Sequence, residues 1–362
     1  MRLSKLDVLQ VRNIKSAQLS CHPSANIIYG ANGSGKTSLL ESIYLLGRGR
    51  SFKHRDLRVV INNDADELVV SARVEHRAPK RSHQLGLKRS SNGRFEARLD
   101  GVALQSAVQL VQELPLQLID AHSFTLLEGG PLQRRQFLDW GVFHVEHDYR
   151  TVWRMFQKAL KQRNQLLRRG RIDDESLPVW DDEVVTLAER ITSYRRRYLD
   201  ELVIDVSALA AEFECLSGLE LDFYQGWSDG LTLAEVLESD RSRDFATGTT
   251  NHGAHKADIR LKIDGVVASD RLSRGQTKLL VYALKLAQAT HFRRQMGQSC
   301  LFLLDDLPAE LDYEHRAQVI RCLNSLNCQY FITGVDKKDF EPLVGGMAHQ
   351  MFHMEHGVVV EG

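Results

Sequence analysis

GANGSGKT, residues Gly30–Thr37, lies between the apolar run NIIYG, which ends on Gly30, and the segment SLLESIYLLGRG, which begins at Ser38. It fits the pattern G-x-x-x-x-G-K-[ST] in the context that pattern requires, a strand leading into a helix. Gly30, Gly33 and Gly35 let successive backbone N–H groups around Ala31, Asn32 and Ser34 turn inward as an anion nest, to which a helix N-terminus adds partial positive charge. Lys36 then reaches the β- and γ-phosphates of a nucleotide, and the Thr37 hydroxyl is placed for Mg²⁺. The expectation is an ATP site.

Outward from this loop, Leu39, Leu40, Ile43, Tyr44 and Leu46 recur at helical spacing, and the helix is expected to stop at Gly47. Upstream, apolar residues alternate from Leu6 to Val8 and from Leu9 to Val11 as in strands. Downstream, Glu67 to Asp100 alternates with Leu68, Val70, Ala72 and Val74 on one face, and SSNGR reads as a hairpin turn. From about Phe124 to Phe213 the pattern becomes long, charged and helical, split at Gly170 and the polar stretch ending at Pro178. Alternation returns in ADIRLKIDG. LSRGQ (Leu272–Gln276) then opens the helix TKLLVYALKLAQATHF, and CLFLLDD reads as a buried parallel strand closed by two acids. QYFITG is a further buried strand, and MFHMEHGVVV a terminal hairpin.

The composition frames these motifs. A chain of 362 residues suggests about two domains, and 43% hydrophobic with 26% charged residues is that of a soluble globular protein. The longest apolar runs, such as Leu301–Leu304, fall far short of the roughly 20 residues of a membrane span, and the N-terminus has no secretory h-region. A cytoplasmic protein with no membrane partner is expected. Five scattered cysteines form no C-x-x-C pair, which argues against a disulfide framework or a zinc-thiolate site. Basic and acidic residues balance at 47 each, so a nucleic-acid surface must come from local charge segregation.

Two more elements carry chemistry. An aspartate at a strand's carboxyl end, Asp305, can join the Mg²⁺ shell, and its neighbour Asp306 can polarise an attacking water. By itself the pair also reads as an N-cap before LPAELD. In LSRGQ, Ser273, Gly275 and a helix N-terminus can grip a γ-phosphate, yet the phosphate loop already serves that end. A second nucleotide in a partner subunit explains it, although the pentapeptide alone is more often a plain helix cap.

These elements in this order resemble ABC-type ATPase heads. The longer matches are VRN (Val11–Asn13), GANGSGKTSLLESIYLLGRGRSF (Gly30–Phe52), GGPLQRRQFLDW (Gly129–Trp140), HGAHKAD (His252–Asp258), LSRGQ and LFLLDDLPAELD (Leu301–Asp312). With them the whole chain is similar to the RecF family. The resemblance implies an α/β ABC-type P-loop head with a mixed sheet, formed by residues 1–120 and 256–362, and an inserted, mainly helical domain at 121–255. It implies catalytic roles for Lys36, Asp305 and Asp306, with Thr37 and Asp305 on Mg²⁺. The nucleotide is contacted by Arg12, Asn13, Gly30 to Ser38, Ser273, Gly275, Gln276 and Asp312, the last across a dimer interface. It further implies a slow DNA-dependent ATPase of recombinational repair that dimerises with ATP on single-stranded, double-stranded or gapped DNA. The implied partners are RecR and RecO, and functionally RecA.

The chain also departs from the family. Ala121 and His122 replace a Pro-Glu pair, leaving Gln117 a weak glutamine-loop candidate. Ala254 stands where proline is usual, and the lone H-x-x-H of His252 and His255 is expected to be structural. Thr333 stands where transporter ATPases carry histidine. Two basic strips, Arg48–Arg58 and the group Arg163, Arg168, Arg169 and Arg171, are candidate phosphate-backbone contacts. A transporter ATPase subunit is the alternative class, disfavoured by Thr333 and by GGPLQRRQFLDW. A long-armed coiled-coil ATPase does not fit the roughly 235 residues between Thr37 and Leu272 at about 1.5 Å per helical residue.

Overall fold

A computed structural model describes residues 1–77, 80–169 and 176–361, and the chain divides into two compact units. The first comprises Met1–Ser123 and Leu284–Gly362, the second Phe124–Ala283.

The first unit contains two six-stranded sheets. One is antiparallel, in the order Ile14–Ser20, Arg2–Val11, Glu67–Arg77, Lys80–Ser90, Phe95–Leu99, Val102–Ala103. The other runs Val358–Glu361, His349–Glu355, Ala25–Tyr29, Tyr330–Gly334, Leu301–Leu304, Leu116–Ile119, parallel except for the terminal hairpin. Leu68, Val70, Ala72 and Val74 are fully buried, as their alternation requires. Helix Lys36–Arg48 joins a core built from both sheets, burying Leu39, Leu40 and Ile43 at about 1.5–3 kcal/mol each. It does not stop at Gly47. A Cβ there would lie 2.4 Å from the Leu116 side chain, so Gly47 is a packing glycine, and Gly49 at φ 64° caps the helix instead.

The second unit is mainly helical. Helices Tyr149–Arg169 and Leu177–Ala210 pack on each other through stripes spaced three and four residues apart, Val152, Phe156 and Leu160 on one and Val184, Ala188 and Ile191 on the other. An antiparallel sheet orders Val266–Val267, Asp258–Ile263 and Leu219–Tyr224. The unit therefore extends past the expected boundary at 255, and the reason is pairing. Strand Asp258–Ile263 bonds to Leu219–Tyr224, and Arg134 of helix Pro131–Val145 grips Asp258 at 2.7 and 3.0 Å. LSRGQ consequently begins in this unit, and the division falls inside helix Arg274–Met296.

Candidate nucleotide site

The phosphate loop joins strand Ala25–Tyr29 to helix Lys36–Arg48. Gly30 adopts φ 151°, and a Cβ on it would lie 2.2 Å from the Met354 carbonyl oxygen. No other residue fits. Gly35 ends the loop in the left-handed region, and no side chain caps the helix behind it, which leaves the positive end of the helix available to an anion. Around Gly33 an added Cβ would meet nothing within 4 Å, and the buried Ser34 hydroxyl has no partner. An open cradle beside an orphaned hydroxyl fits a polyphosphate.

Lys36 folds back on the loop, donating to the carbonyls of Gly30 at 2.7 Å and Ala31 at 3.0 Å. Burial lowers its proton affinity, while Asp306 and Asp305 act to raise it. Thr37 donates to Asp305 Oδ1 at 3.1 Å. The two residues assigned to Mg²⁺ thus meet directly, a hydroxyl and a carboxylate suited to a hard cation. Burial raises the Asp305 carboxyl above its ordinary range, opposed by hydrogen bonds from Thr333 and Thr37 and by the nearby Lys53. A divalent cation at this position would supply the charge that burial withholds.

Asp306 sits at φ 54° with an exposed side chain that makes no cap bond to helix Leu307–Glu310, so capping does not explain it. Its backbone is held instead by Thr333. The Thr333 hydroxyl accepts from the Asp306 N–H at 2.7 Å and donates to Asp305 Oδ1 at 2.8 Å, bracing both acids at once. Sequence reasoning treated Thr333 only as the absence of a histidine. The signal is an aliphatic hydroxyl near the end of the buried strand Tyr330–Gly334, one residue past the pairing of Leu304 with Ile332.

Arg12 and Asn13 diverge. Asn13 lies on the loop, donating to the Gly33 carbonyl at 3.3 Å and accepting from Ser38 at 3.0 Å. Arg12 instead pairs with the buried Glu41 of the loop's helix, which Ser51 of GRGRSF also engages. VRN and GRGRSF are therefore tied together through Glu41. Gln117 is in the core, bonded to Gln288 at 2.7 Å and Lys285 at 3.2 Å, and makes no approach to the phosphate loop.

In the second unit, Ser273 and Gln276 form a reciprocal cap on helix Arg274–Met296. The Ser273 N–H donates to Gln276 Oε1 at 2.9 Å, and the Gln276 N–H donates to Ser273 Oγ at 3.4 Å. Both Ser273 and Gly275 are exposed, and an added Cβ at Gly275 would meet nothing within 4 Å. Asp312, in the first unit, caps helix Tyr313–Ser325 and pairs with His315 at 2.7 Å while remaining exposed.

The two long motifs of the second unit hold each other. Arg134 binds Asp258, Arg135 donates to the Ala257 carbonyl at 2.7 Å, and Asp139 pairs with the buried Arg195, which also reaches the Ala254 carbonyl at 2.6 Å. His252 bonds Asp240 at 2.7 Å and His255 the Thr250 carbonyl at 3.0 Å, so the H-x-x-H is structural. One basic strip needs correcting. Arg163 is fully buried, bonded to Asp181 at 2.6 Å, Asp244 at 2.7 Å and Thr250 at 2.8 Å, and is unavailable to DNA. Arg168 and Arg169 are exposed, and Arg171 lies outside the described residues. In the other strip, Arg48 is half-buried while Arg50, Lys53, His54, Arg55 and Arg58 are exposed.

Comparison with known proteins agrees with this architecture. The family model described as RecF/RecN/SMC N terminal domain matches residues 2–359. The chain is 44% identical to the DNA replication and repair protein RecF of Stutzerimonas stutzeri, over 100% of the chain and 98% of that protein. It is 45% identical to the protein of the same name from Pseudomonas aeruginosa, covering 99% and 97%. A solved structure described as the recombination mediator protein RecF-ATP in the RecFOR pathway superposes with TM-score 0.88 at 24% identity, over 100% of this chain and 97% of that one. An SMC head bound to the C-winged helix domain of ScpA gives 0.61 at 15% identity, covering 100% and 98%. Phosphate loop, paired acids and stapled helical unit all lie within the span these relatives share, and the chain belongs to the RecF family.

Proposed function

We propose that this chain is an ATP-switched DNA-binding protein of recombinational repair. In this reading ATP binding drives homodimerisation on gapped or junction DNA, and slow hydrolysis resets it. Lys36 and the loop amides hold phosphates. Thr37 and Asp305 hold Mg²⁺, which would neutralise phosphate charge, and Asp306 orients and deprotonates the attacking water. The relatives' names, which speak of replication, repair and the RecFOR pathway, support the repair role; a cytoplasmic site of action, RecR and RecO as partners and delivery of gapped DNA to RecA complete the proposal.

One observation carries the dimer. Gly275 lies in the first turn of a long helix, where glycine has a lower helix propensity than alanine, and among the described residues no atom requires the missing side chain. A requirement from outside the chain explains it, namely close approach of a nucleotide held by a second copy. Ser273 beside it would complete that copy's site, and a two-fold arrangement then uses both nucleotides equivalently. The exposed residues Arg50, Lys53, Arg55 and Arg58 supply sequence-independent phosphate contacts.

Sedimentation with Mg²⁺ and a slowly hydrolysed ATP analogue tests the clamp. Wild type is expected to dimerise, whereas Ser273→Arg stays monomeric while binding one nucleotide per chain. Equal dimerisation of both proteins, or none by wild type, refutes it.

A further inference from the structure

Strands Glu67–Arg77 and Lys80–Ser90 pair with Val74 opposite His83 and His76 opposite Arg81. His76 and His83 are thus diagonal neighbours on one face, continuing the inward row of Val70, Ala72, Val74, Leu85 and Leu87. Where that apolar row ends, two imidazoles take its place. Their ring centroids are 5.0 Å apart, and both residues are more than nine-tenths buried, at 8% and 6% exposure. Glu113, the last residue of helix Ala107–Glu113, covers them.

Each of the three side chains carries an unsatisfied polar atom. Nε2 of His76, Nε2 of His83 and Oε2 of Glu113 are each buried without a hydrogen-bond partner, although His83 and Glu113 stand only 3.5 Å apart. Three such orphans at one point cost about 1–3 kcal/mol apiece. A ligand atom from each lies within 4.8 Å of the others. Tetrahedral zinc, with bonds of about 2.0–2.2 Å, needs ligand separations of roughly 3.3–3.5 Å, so one pair already fits and the third atom must close by about an ångström. Such a closure is within side-chain rotation.

We propose that His76, His83 and Glu113 form a site for a divalent transition metal of the zinc class, fastening the strand pair to the helix that covers it. Two neutral imidazoles and a carboxylate suit a borderline cation better than Mg²⁺ or Ca²⁺, which take oxygen sets. Glu113 also stands at the negative end of its helix, where a carboxylate is disfavoured unless a cation joins it. Arg81 meets this only at 3.7 Å from an exposed position. The site contains no residue of the nucleotide cradle and does not depend on the proposed clamp.

The test uses the full chain, stripped with a chelator, dialysed and titrated calorimetrically with Zn²⁺ alone, then with Co²⁺ as a spectroscopic stand-in. One equivalent of Zn²⁺ is expected, with Co²⁺ bands of a four- or five-coordinate nitrogen–oxygen site lacking thiolate charge transfer. His83→Gln and Glu113→Gln should each weaken Zn²⁺ at least about tenfold. Glu113 is only partly buried, so its variant tests the site without threatening the fold, and unchanged ATP binding verifies that. No stoichiometric Zn²⁺ in wild type, thiolate bands from the five cysteines, or equal affinity in both variants overturns the proposal.

Discussion

Thr333→Val replaces a hydroxyl by a methyl of nearly the same size, so packing in the buried strand is retained while two hydrogen bonds vanish. The first joins the hydroxyl to the Asp305 carboxylate, and bonds to charged groups contribute about 1.5–3 kcal/mol. The second satisfies the Asp306 N–H at a part-buried position, where a neutral bond contributes about 0.5–1.5 kcal/mol. Because both run through one oxygen they do not add fully, and about 2–4 kcal/mol is expected. The first unit has 202 residues, so its melting midpoint should fall by roughly 4–16 °C. Asp306 loses the bond that holds its left-handed backbone, and hydrolysis should fall more than ATP affinity does. Differential scanning calorimetry without nucleotide and single-turnover hydrolysis with saturating ATP provide the two readings. Thr333→Ser, which keeps the oxygen, should restore most of both. If Thr333→Val melts and turns over like wild type, the brace is irrelevant to either acid.

Lys36→Met should lower ATP affinity roughly 10–100-fold, the value of a charge-assisted contact, while the nucleotide-free melt stays within a few degrees of wild type; equilibrium nucleotide binding checks this, and unchanged affinity would remove Lys36 from the cradle. Asp306→Asn should bind ATP normally yet turn over about 10²–10⁴-fold more slowly, and equal rates in single turnover would sink its role as the water's base. Asp305 is raised by burial from an ordinary value near 3.8, so the folded chain holds a proton more tightly than the unfolded one. Its contribution therefore lowers stability as pH rises from about 4 through the raised value. Asp305→Asn should flatten that loss in urea titrations across acid pH and abolish the stabilisation that Mg²⁺ with ATP confers; an unaltered pH slope would mean that another group dominates.

The phosphate loop was legible because its chemistry demands contiguous residues. Two glycines, a lysine and a serine or threonine must occur within eight positions, and no partner from elsewhere is needed to recognise them. The buried strands were legible for a similar local reason, since LFLL and YFIT carry no charge and no alternation that would mark a solvent-facing side. Thr333 and Asp305 are brought together by strand register across 28 residues of chain, a quantity that propensity does not specify. The helix end at Gly49 was also misjudged locally. Gly47 looks like a stop until Leu116, from another strand, fills the space beside it.

The arginines of the helical unit show how charge misleads when the stripe is ignored. Arg163 belongs to a basic run by composition, but it follows Phe156 by two helical turns and lies on the buried face with Leu166 and Leu167. Arg195 follows Ile191 by four residues and is buried likewise. Each enters the interior with its carboxylate, Asp181 and Asp244 for one and Asp139 for the other. Such pairs add little net stability against apolar packing, but they penalise every arrangement that leaves one member alone. GGPLQRRQFLDW and HGAHKAD therefore specify geometry. Arg134 and Arg135 hold the start of strand Asp258–Ile263, and the chain goes on from that strand through helix Ala268–Arg271 to Ser273. In the proposed dimer, a serine that meets a phosphate of a second copy needs its position fixed to within a fraction of an ångström. Under that proposal GGPLQRRQFLDW and HGAHKAD act at a distance, by holding the strand from which the chain continues to Ser273.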